Sequence, residues 1–189
     1  MKKMIVSLLL AATVLPFIAE SQTSSSDFQK GTIVTAANDK LDGTIKDQTK
    51  NKGNILFTAT TGQKKIYTPA ELSGFTLNGV SYISFASDFY KVSVSGNKAS
   101  LYQRVTDNSG KMIYNGAEAI VVTTAEGKAG DYYIQTGSDS KLSWVTQKNF
   151  ETFISTAFAG CPALVADIKN KQLDYTQLGK AVEKYNSCQ

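Results

Sequence analysis

Phe89-Tyr90-Lys91-Val92-Ser93-Val94-Ser95-Gly96-Asn97-Lys98-Ala99-Ser100-Leu101-Tyr102-Gln103-Arg104-Val105-Thr106 is the stretch that decides the fold. Tyr90, Val92 and Val94 alternate with Lys91 and Ser93, and Leu101, Gln103 and Val105 alternate with Tyr102 and Arg104. A period of two describes strands with one face in a core and one face partly wet. Gly96-Asn97 is a hairpin turn between two such strands.

The same grammar extends in both directions. Gly31–Thr35 and Gly43–Lys46 flank Asn38-Asp39, and Asn54–Thr60 and Gln63–Tyr67 flank Thr61-Gly62. Gly74–Leu77 and Val80–Phe85 meet at Asn78-Gly79, a pair suited to a type I′ turn with positive φ at both positions. Lys111–Asn115, Glu118–Thr124, Asp131–Thr136 and Lys141–Val145 complete the series. The connections are too short for parallel crossovers, which require a dozen or more residues. An antiparallel sheet that curls, or closes partway into a barrel, is the expectation. One interruption is Thr68-Pro69-Ala70-Glu71, a capping box with proline at the first helical position, ended by Ser73-Gly74.

After Val145 the period changes to about 3.6. Thr146 and Asn149 frame a helix start, with Val145 and Phe150 at the staple positions. Phe150, Phe153, Ile154, Ala157 and Phe158 form one apolar stripe, ended by Gly160. A second helix starts at Cys161-Pro162 with Leu164, Val165 and Ile168 inward. A third follows Asp174 and Gln177, with Leu178, Ala181, Val182 and Tyr185 inward. None is long enough to be stable alone, so all three are expected to pack on the sheet. The fold class is therefore α+β: a curled antiparallel sheet or partial barrel followed by three short C-terminal helices.

The chain divides accordingly. Residues 1–21 have the form of a signal peptide: Lys2-Lys3, an apolar stretch from Met4 to Ala19, and Ala19-Glu20-Ser21 before a cut at Gln22. The apolar stretch is short for a membrane span and contains Pro16. Residues 22–30 are a polar leader, 31–145 the sheet and 146–189 the helical tail. Export to the periplasm, cell surface or medium is expected, with no transmembrane segment after cleavage. Cys161 and Cys188 are the only cysteines. In an oxidising compartment their expected state is one disulfide tying the start of the second helix to the end of the third. Unpaired thiols or a redox pair are the alternatives, although no C-x-x-C spacing is present.

Composition narrows the chemistry. The 189 residues are 42% hydrophobic and 19% charged, which excludes a mostly disordered chain. There is no histidine, so no His-based triad or histidine-ligated zinc site exists within one chain. Net charge is +4, but the positives are scattered lysines with a single arginine, Arg104, unlike a nucleic-acid groove. No phosphate-binding glycine loop and no G-x-S-x-G elbow occurs. No cofactor, metal site or catalytic residue is assigned. A hydrolase would have to draw on Ser93, Ser95 or Ser100 with Lys91 or Lys98, or on carboxylates among Glu118, Glu126 and Asp131. Asn38, Asp39 and Asp42 fall short of a calcium loop's acidic density. Tyr82, Tyr90, Tyr102, Tyr114, Tyr132 and Tyr133 all fall in expected strands. On an open face they would stack on sugars or form a protein-binding surface, and beneath the helices they would be core.

Three segments carry a resemblance. Gly31-Thr32-Ile33 with Asp39-Lys40-Leu41-Asp42-Gly43-Thr44-Ile45 matches a "G-x-I … D-x-L-x-G-x-I" opening. Tyr67-Thr68-Pro69-Ala70-Glu71-Leu72-Ser73-Gly74-Phe75 matches "Y-[ST]-P-x-[DE]-I-x-x-F", with Leu72 in the Ile position. The tail has Cys161-Pro162-Ala163-Leu164-Val165 and Tyr185-Asn186-Ser187-Cys188. Together they resemble a group of small, uncharacterised exported proteins of Bacteroidetes. The resemblance implies envelope export and a cysteine-bridged helical tail, and carries over no catalytic or ligand residue. The expected function is non-enzymatic: a cell-envelope or secreted binding or structural protein. Its partner would be an envelope protein, a glycan or an apolar ligand, not a nucleic acid. The alternatives are a carrier of an apolar ligand inside the curled sheet, or a hydrolase using Ser/Lys or paired carboxylates.

Overall fold

The computed structural model describes residues 27–108, 112–115, 118–121, 127–137 and 139–188. The expected signal peptide, all but the last four residues of the leader and Gln189 lie outside them. The strands are β1 (Phe28–Thr35), β2 (Lys40–Gln48), β3 (Asn54–Ala59), β4 (Lys64–Tyr67), β5 (Leu72–Leu77) and β6 (Val80–Phe85). They continue as β7 (Asp88–Val94), β8 (Ala99–Arg104), β9 (Met112–Asn115), β10 (Glu118–Val121), β11 (Tyr132–Thr136) and β12 (Ser143–Val145). A one-turn helix α1 (Thr49–Lys52) joins β2 to β3, and α2 (Phe150–Ala157), α3 (Pro162–Lys169) and α4 (Leu178–Ser187) form the tail. β1 starts at Phe28, three residues before the expected Gly31.

Ten strands make one antiparallel sheet in the order β12-β11-β8-β7-β6-β5-β1-β2-β3-β4, and β9 and β10 pair separately as a hairpin. The sheet is open, since its outermost strands β12 and β4 do not pair with each other. It is also strongly curled. β4 ends at Tyr67 beside the start of β1, while β5 begins at Leu72 beside the end of β1. In a flat sheet these points would be four strand spacings apart, about 19 Å, and at opposite strand ends. Only four residues connect them, three of which form a 3-10 turn, Pro69–Glu71. That turn is the expected capping box, with Thr68 N donating to Glu71 Oε2 at 3.0 Å.

The Gly-Thr-Ile repeat lets neighbouring backbones approach closely. Gly31 and Gly43 face each other in register across β1 and β2. A Cβ on Gly31 would lie 2.5 Å from the Thr76 carbonyl oxygen, and one on Gly43 2.2 Å from that of Thr58. Glycine at such sites lets neighbouring backbones close up at a bend. The isoleucines two residues on, Ile33 and Ile45, are fully buried. They pack with Ile55, Phe57, Phe75 and Phe89 on the inner face of the curl.

Asn78 and Gly79 have φ of 49° and 78°, the expected type I′ pair. Gly96 and Asn97 do not behave likewise, because neither has positive φ. Gly96 is instead needed for close approach: a Cβ there would sit 2.1 Å from Asn186 Nδ2. A bulge between Val92 and Val94 corrects a second expectation. Tyr90 and Val92 share a face, but Val94 is turned to the opposite one. There it pairs with Leu101 and packs under the helices.

The tail follows its sequence signals. Thr146 N donates to Asn149 Oδ1 at 2.7 Å and Asn149 N to Thr146 Oγ1 at 3.2 Å. Asp174 and Gln177 form the second capping box, around a 3-10 turn that runs into α4. Helix residues Phe150, Ile154, Phe158, Leu164, Ile168, Leu178 and Val182 share one core with Leu101, Ile134 and Val145 of the sheet. Cys161 and Cys188 are paired, with Cα atoms 5.8 Å apart. Among the described residues, no helix is long and apolar enough to cross a membrane.

The close backbone approach makes a direct prediction. Gly43→Ala is expected to lower stability by about 1–3 kcal/mol through overpacking. Gly160→Ala, where an added Cβ meets nothing within 4 Å, is expected to stay within about 0.5 kcal/mol of the parent. Urea denaturation of the two variants checks both values.

Candidate functional site

Two places on the sheet hold concentrated polar chemistry. The first is on the outer face. Alternation puts Ile33 and Phe75 inward, so Thr32, Val34, Gly74, Thr76, Ser81 and Ile83 face out across β1, β5 and β6. They line an open groove of about 390 Å³. A second depression of about 360 Å³ shares Thr32 and Thr76 and adds Lys30, Asp42 and Asn78. The two make a shallow track crossing β2, β1, β5 and β6. Its floor is largely apolar, with Val34 and Ile83 beside the Thr32, Thr76 and Ser81 hydroxyls, and its charges come from Lys30, Lys40 and Asp42. Thr32 Oγ1 donates to Asp42 Oδ1 at 2.5 Å, which holds that carboxylate over the strand pair.

The second place is buried, where the chain leaves the sheet for β9–β10 and returns. Arg104 and Asp88 are both fully buried, and Arg104 Nη2 donates to Asp88 Oδ2 at 2.6 Å. Arg104 Nε donates to the Thr106 carbonyl and Nη1 to the Gly127 carbonyl, each at 3.0 Å. Asp88 Oδ1 accepts from Thr106 Oγ1 at 2.5 Å and from Asn108 N at 2.9 Å. Asn108 Nδ2 then donates to the carbonyls of Gly53 and Ser87, both at 3.1 Å. Burial by itself would lower the Arg104 pKa, but the Tyr133 phenol and the Asp88 charge outweigh it and hold the guanidinium above its ordinary value. Within this cluster the donors and acceptors are turned on one another, the arrangement of a structural fastening.

Of the six strand tyrosines, Tyr90, Tyr102 and Tyr133 are 0%, 8% and 3% exposed and pack together as a core cluster. They are corrected from surface to interior because register sets them side by side with Arg104 on one face, where Val92, Leu142 and Trp144 enclose them. Tyr90 and Tyr133 meet edge to face at 5.2 Å. Burial holds both phenols above their ordinary pKa of 10.0, against the pull of Arg104. Tyr82 is half-buried, stacked on Phe75 at 4.4 Å. Tyr132 is half-buried against Tyr175. The Tyr114 side chain, Glu126 and the Glu118 side chain lie outside the described part of the molecule.

Several other candidates have partners of their own. Ser100 Oγ accepts from Gly96 N within its own hairpin, and Asp131 Oδ2 accepts from Lys128 N at 2.9 Å. Asp39 accepts from Thr35. Lys98 donates to the Cys188 carbonyl. Among the described residues, no three metal-ligating side chains come together. Sequence reading missed the Asp88–Arg104 cluster. Its one available signal was a lone arginine, alternating with apolar residues, on a strand expected to have a wet face.

The chain matches no protein family, no curated protein and no solved structure.

The buried cluster predicts opposite outcomes at two neighbouring residues. Asp88→Ala removes the buried carboxylate from Arg104, leaving Asp107 at 3.5 Å as its acidic neighbour, and is expected to cost about 3–5 kcal/mol. Tyr90 Oη has no hydrogen-bond partner among the described residues. Tyr90→Phe is therefore expected to be neutral or to stabilise by about 1 kcal/mol at pH 7. The buried phenol stays protonated where an unfolded one ionises, so its contribution is complete below pH 10 and is lost as pH rises further. The variant should lose less stability than the parent above that pH. Urea midpoints across pH 7 to 11 measure all three effects.

Proposed function

We propose that this chain is a non-enzymatic binding or structural module, exported to the cell envelope or beyond, that holds its partner on the outer face of the sheet. The observation that carries this reading is the track through Thr32 and Thr76: two adjoining depressions on the sheet, largely apolar, dotted with hydroxyls and flanked by charge. Rigid strands present such groups with little ordering cost on binding.

Export rests on the basic-then-apolar start of the chain and agrees with the paired cysteines. The half-barrel form of the sheet follows from its curl, with the inner side turned to the core. An apolar ligand inside the curl is the less favoured reading. Ile33, Ile45, Ile55, Phe57, Phe75 and Phe89 are each at most 3% exposed and fill the inner face with side chains. A partner on the outer face displaces nothing from that core. An envelope protein and a glycan both fit a largely apolar track dotted with hydroxyls and scattered charge.

The test is affinity capture from a solubilised envelope fraction, using the exported chain and its Thr32→Arg/Thr76→Arg variant. Both substitutions sit on half-buried outer-face positions and spare the core. The expected result is a binder retained by the parent and reduced at least about tenfold by the variant. Equal retention by both proteins, or retention by neither, contradicts the proposal.

A further inference from the structure

The last turn of α4 is fastened to the β7–β8 connection by one amide side chain. Asn186 Oδ1 accepts from Lys98 N at 3.0 Å and from Ala99 N at 2.9 Å, and Asn186 Nδ2 donates to the Ala99 carbonyl at 2.8 Å. The amide thus takes the part of a short stretch of backbone against the start of β8. Gly96 leaves the space it occupies. Tyr185, one residue earlier, stacks on Phe158 at 4.0 Å, and Lys98 lies 6.0 Å from the Tyr185 ring centroid. Cys188, two residues later, is the covalent end of the same turn.

The two sulfurs are in unlike surroundings. Cys161 is 1% exposed, within the apolar cluster of the helices, whereas Cys188 is half-buried at its rim. Thiol–disulfide exchange needs a thiolate in line with the bond, so access selects the sulfur attacked. Attack at Cys161 would have to come through the core. Attack at Cys188 expels Cys161 as a thiolate into apolar surroundings, where a thiolate is disfavoured and leaves poorly. Both routes are slow while the turn is docked.

We propose that the C-terminal turn is a redox-released clasp, and that Asn186 gates entry of an external thiol to the Cys161–Cys188 bond. When Asn186 lifts off Lys98 and Ala99, Cys188 moves into solvent and draws the bond with it. A thiolate then attacks the Cys188 sulfur. A mixed disulfide forms there, the Cys161–Cys188 bond breaks, and Cys161 leaves as a thiolate that takes a proton from water. A second thiolate attacks the external sulfur of the mixed disulfide, which releases Cys188 in the same way. Two thiols become one external disulfide, and the protein gains two thiols. In the oxidised state the turn is held both by the Cys161–Cys188 bond and by the Asn186 hydrogen bonds, and after reduction only those hydrogen bonds remain, so the turn can open.

The experiment exposes the folded, oxidised chain to excess reduced glutathione without denaturant, quenches with an alkylating agent and maps both cysteines by mass spectrometry. Asn186→Ala and Gly96→Ala are each expected to speed reduction at least about tenfold, with the double variant no faster than Asn186→Ala alone. The transient glutathione adduct is expected on Cys188. Gly43→Ala, a destabilising change in the opposite half of the sheet, is expected to leave the rate within about twofold of the parent. If Asn186→Ala does not fold, Gly96→Ala carries the comparison, since it displaces the same amide. An unchanged rate in the clasp variants, an adduct on Cys161, or equal acceleration by Gly43→Ala overturns the proposal.

Discussion

The two wings of the curled sheet are bridged by a single amide at Asn108. Its nitrogen donates to the Gly53 carbonyl, just ahead of β3, and to the Ser87 carbonyl, in the turn between β6 and β7. Those points lie on opposite wings of a sheet in which β2, β1 and β5 intervene. Laid flat they would be roughly 20 Å apart. The rest of the polar cluster holds that amide in place. Asn108 N is fixed on Asp88, Asp88 on Arg104, and Arg104 on the backbone at Thr106 and Gly127. A buried ion pair adds little net stability by itself, because desolvation offsets the Coulomb attraction. Here its effect is geometric, joining the two wings to the point where β8 gives way to the β9–β10 excursion.

That fastening accounts for a local strain. Ala86 and Ser87 both have positive φ, 43° and 69°, in a two-residue hairpin where glycine or asparagine would be at ease. Side chains in that region cost of order 1 kcal/mol or more each and persist where surroundings over-determine them. Asp88 and the Asn108 bond to Ser87 supply that constraint on one side of the turn. Gly53 answers on the other wing: its φ is 68°, and a Cβ would lie 1.8 Å from Asn108 Oδ1. The curl in turn separates two apolar cores. One fills the inner face around Ile33, Ile45 and Phe75, and the other lies between β8, β11 and the helices.

Most of this architecture was legible residue by residue. Period-two alternation located the strand pairs, and Asn78-Gly79 declared its turn type. The two capping boxes around Thr68 and Asp174, and the Thr146–Asn149 pair, placed their turns because these signals act within four residues. What was not legible depended on partners distant in the chain. Gly96 resembles a turn glycine until Asn186, ninety residues later, is seen to rest on it. Val94 changes face at a bulge that leaves no mark in the alternation. Alternation leaves open whether Tyr90, Tyr102 and Tyr133 are surface or core, and only strand order reveals that they line up beside Arg104. Ala86-Ser87 carries no turn signal, because the neighbouring cluster imposes its conformation. The outer track was invisible for the same reason: Thr32 and Thr76 become neighbours only once β5 pairs with β1.

The proposed binding role rests on the same division of labour. The inner face and the helix-covered face are filled, and the polar cluster is turned on itself. The track across β2, β1, β5 and β6 is left open to a partner. The curl is the premise of this account, and the Asn108 bridge is its most exposed point. The most direct measurement is nuclear Overhauser spectroscopy of the isotope-labelled chain in solution. Cross-peaks from the Asn108 side-chain amide protons to the α protons of both Gly53 and Ser87 are predicted. Cross-peaks to neither, or to Ser87 alone, would mean that the amide does not bridge the wings, and would contradict the account.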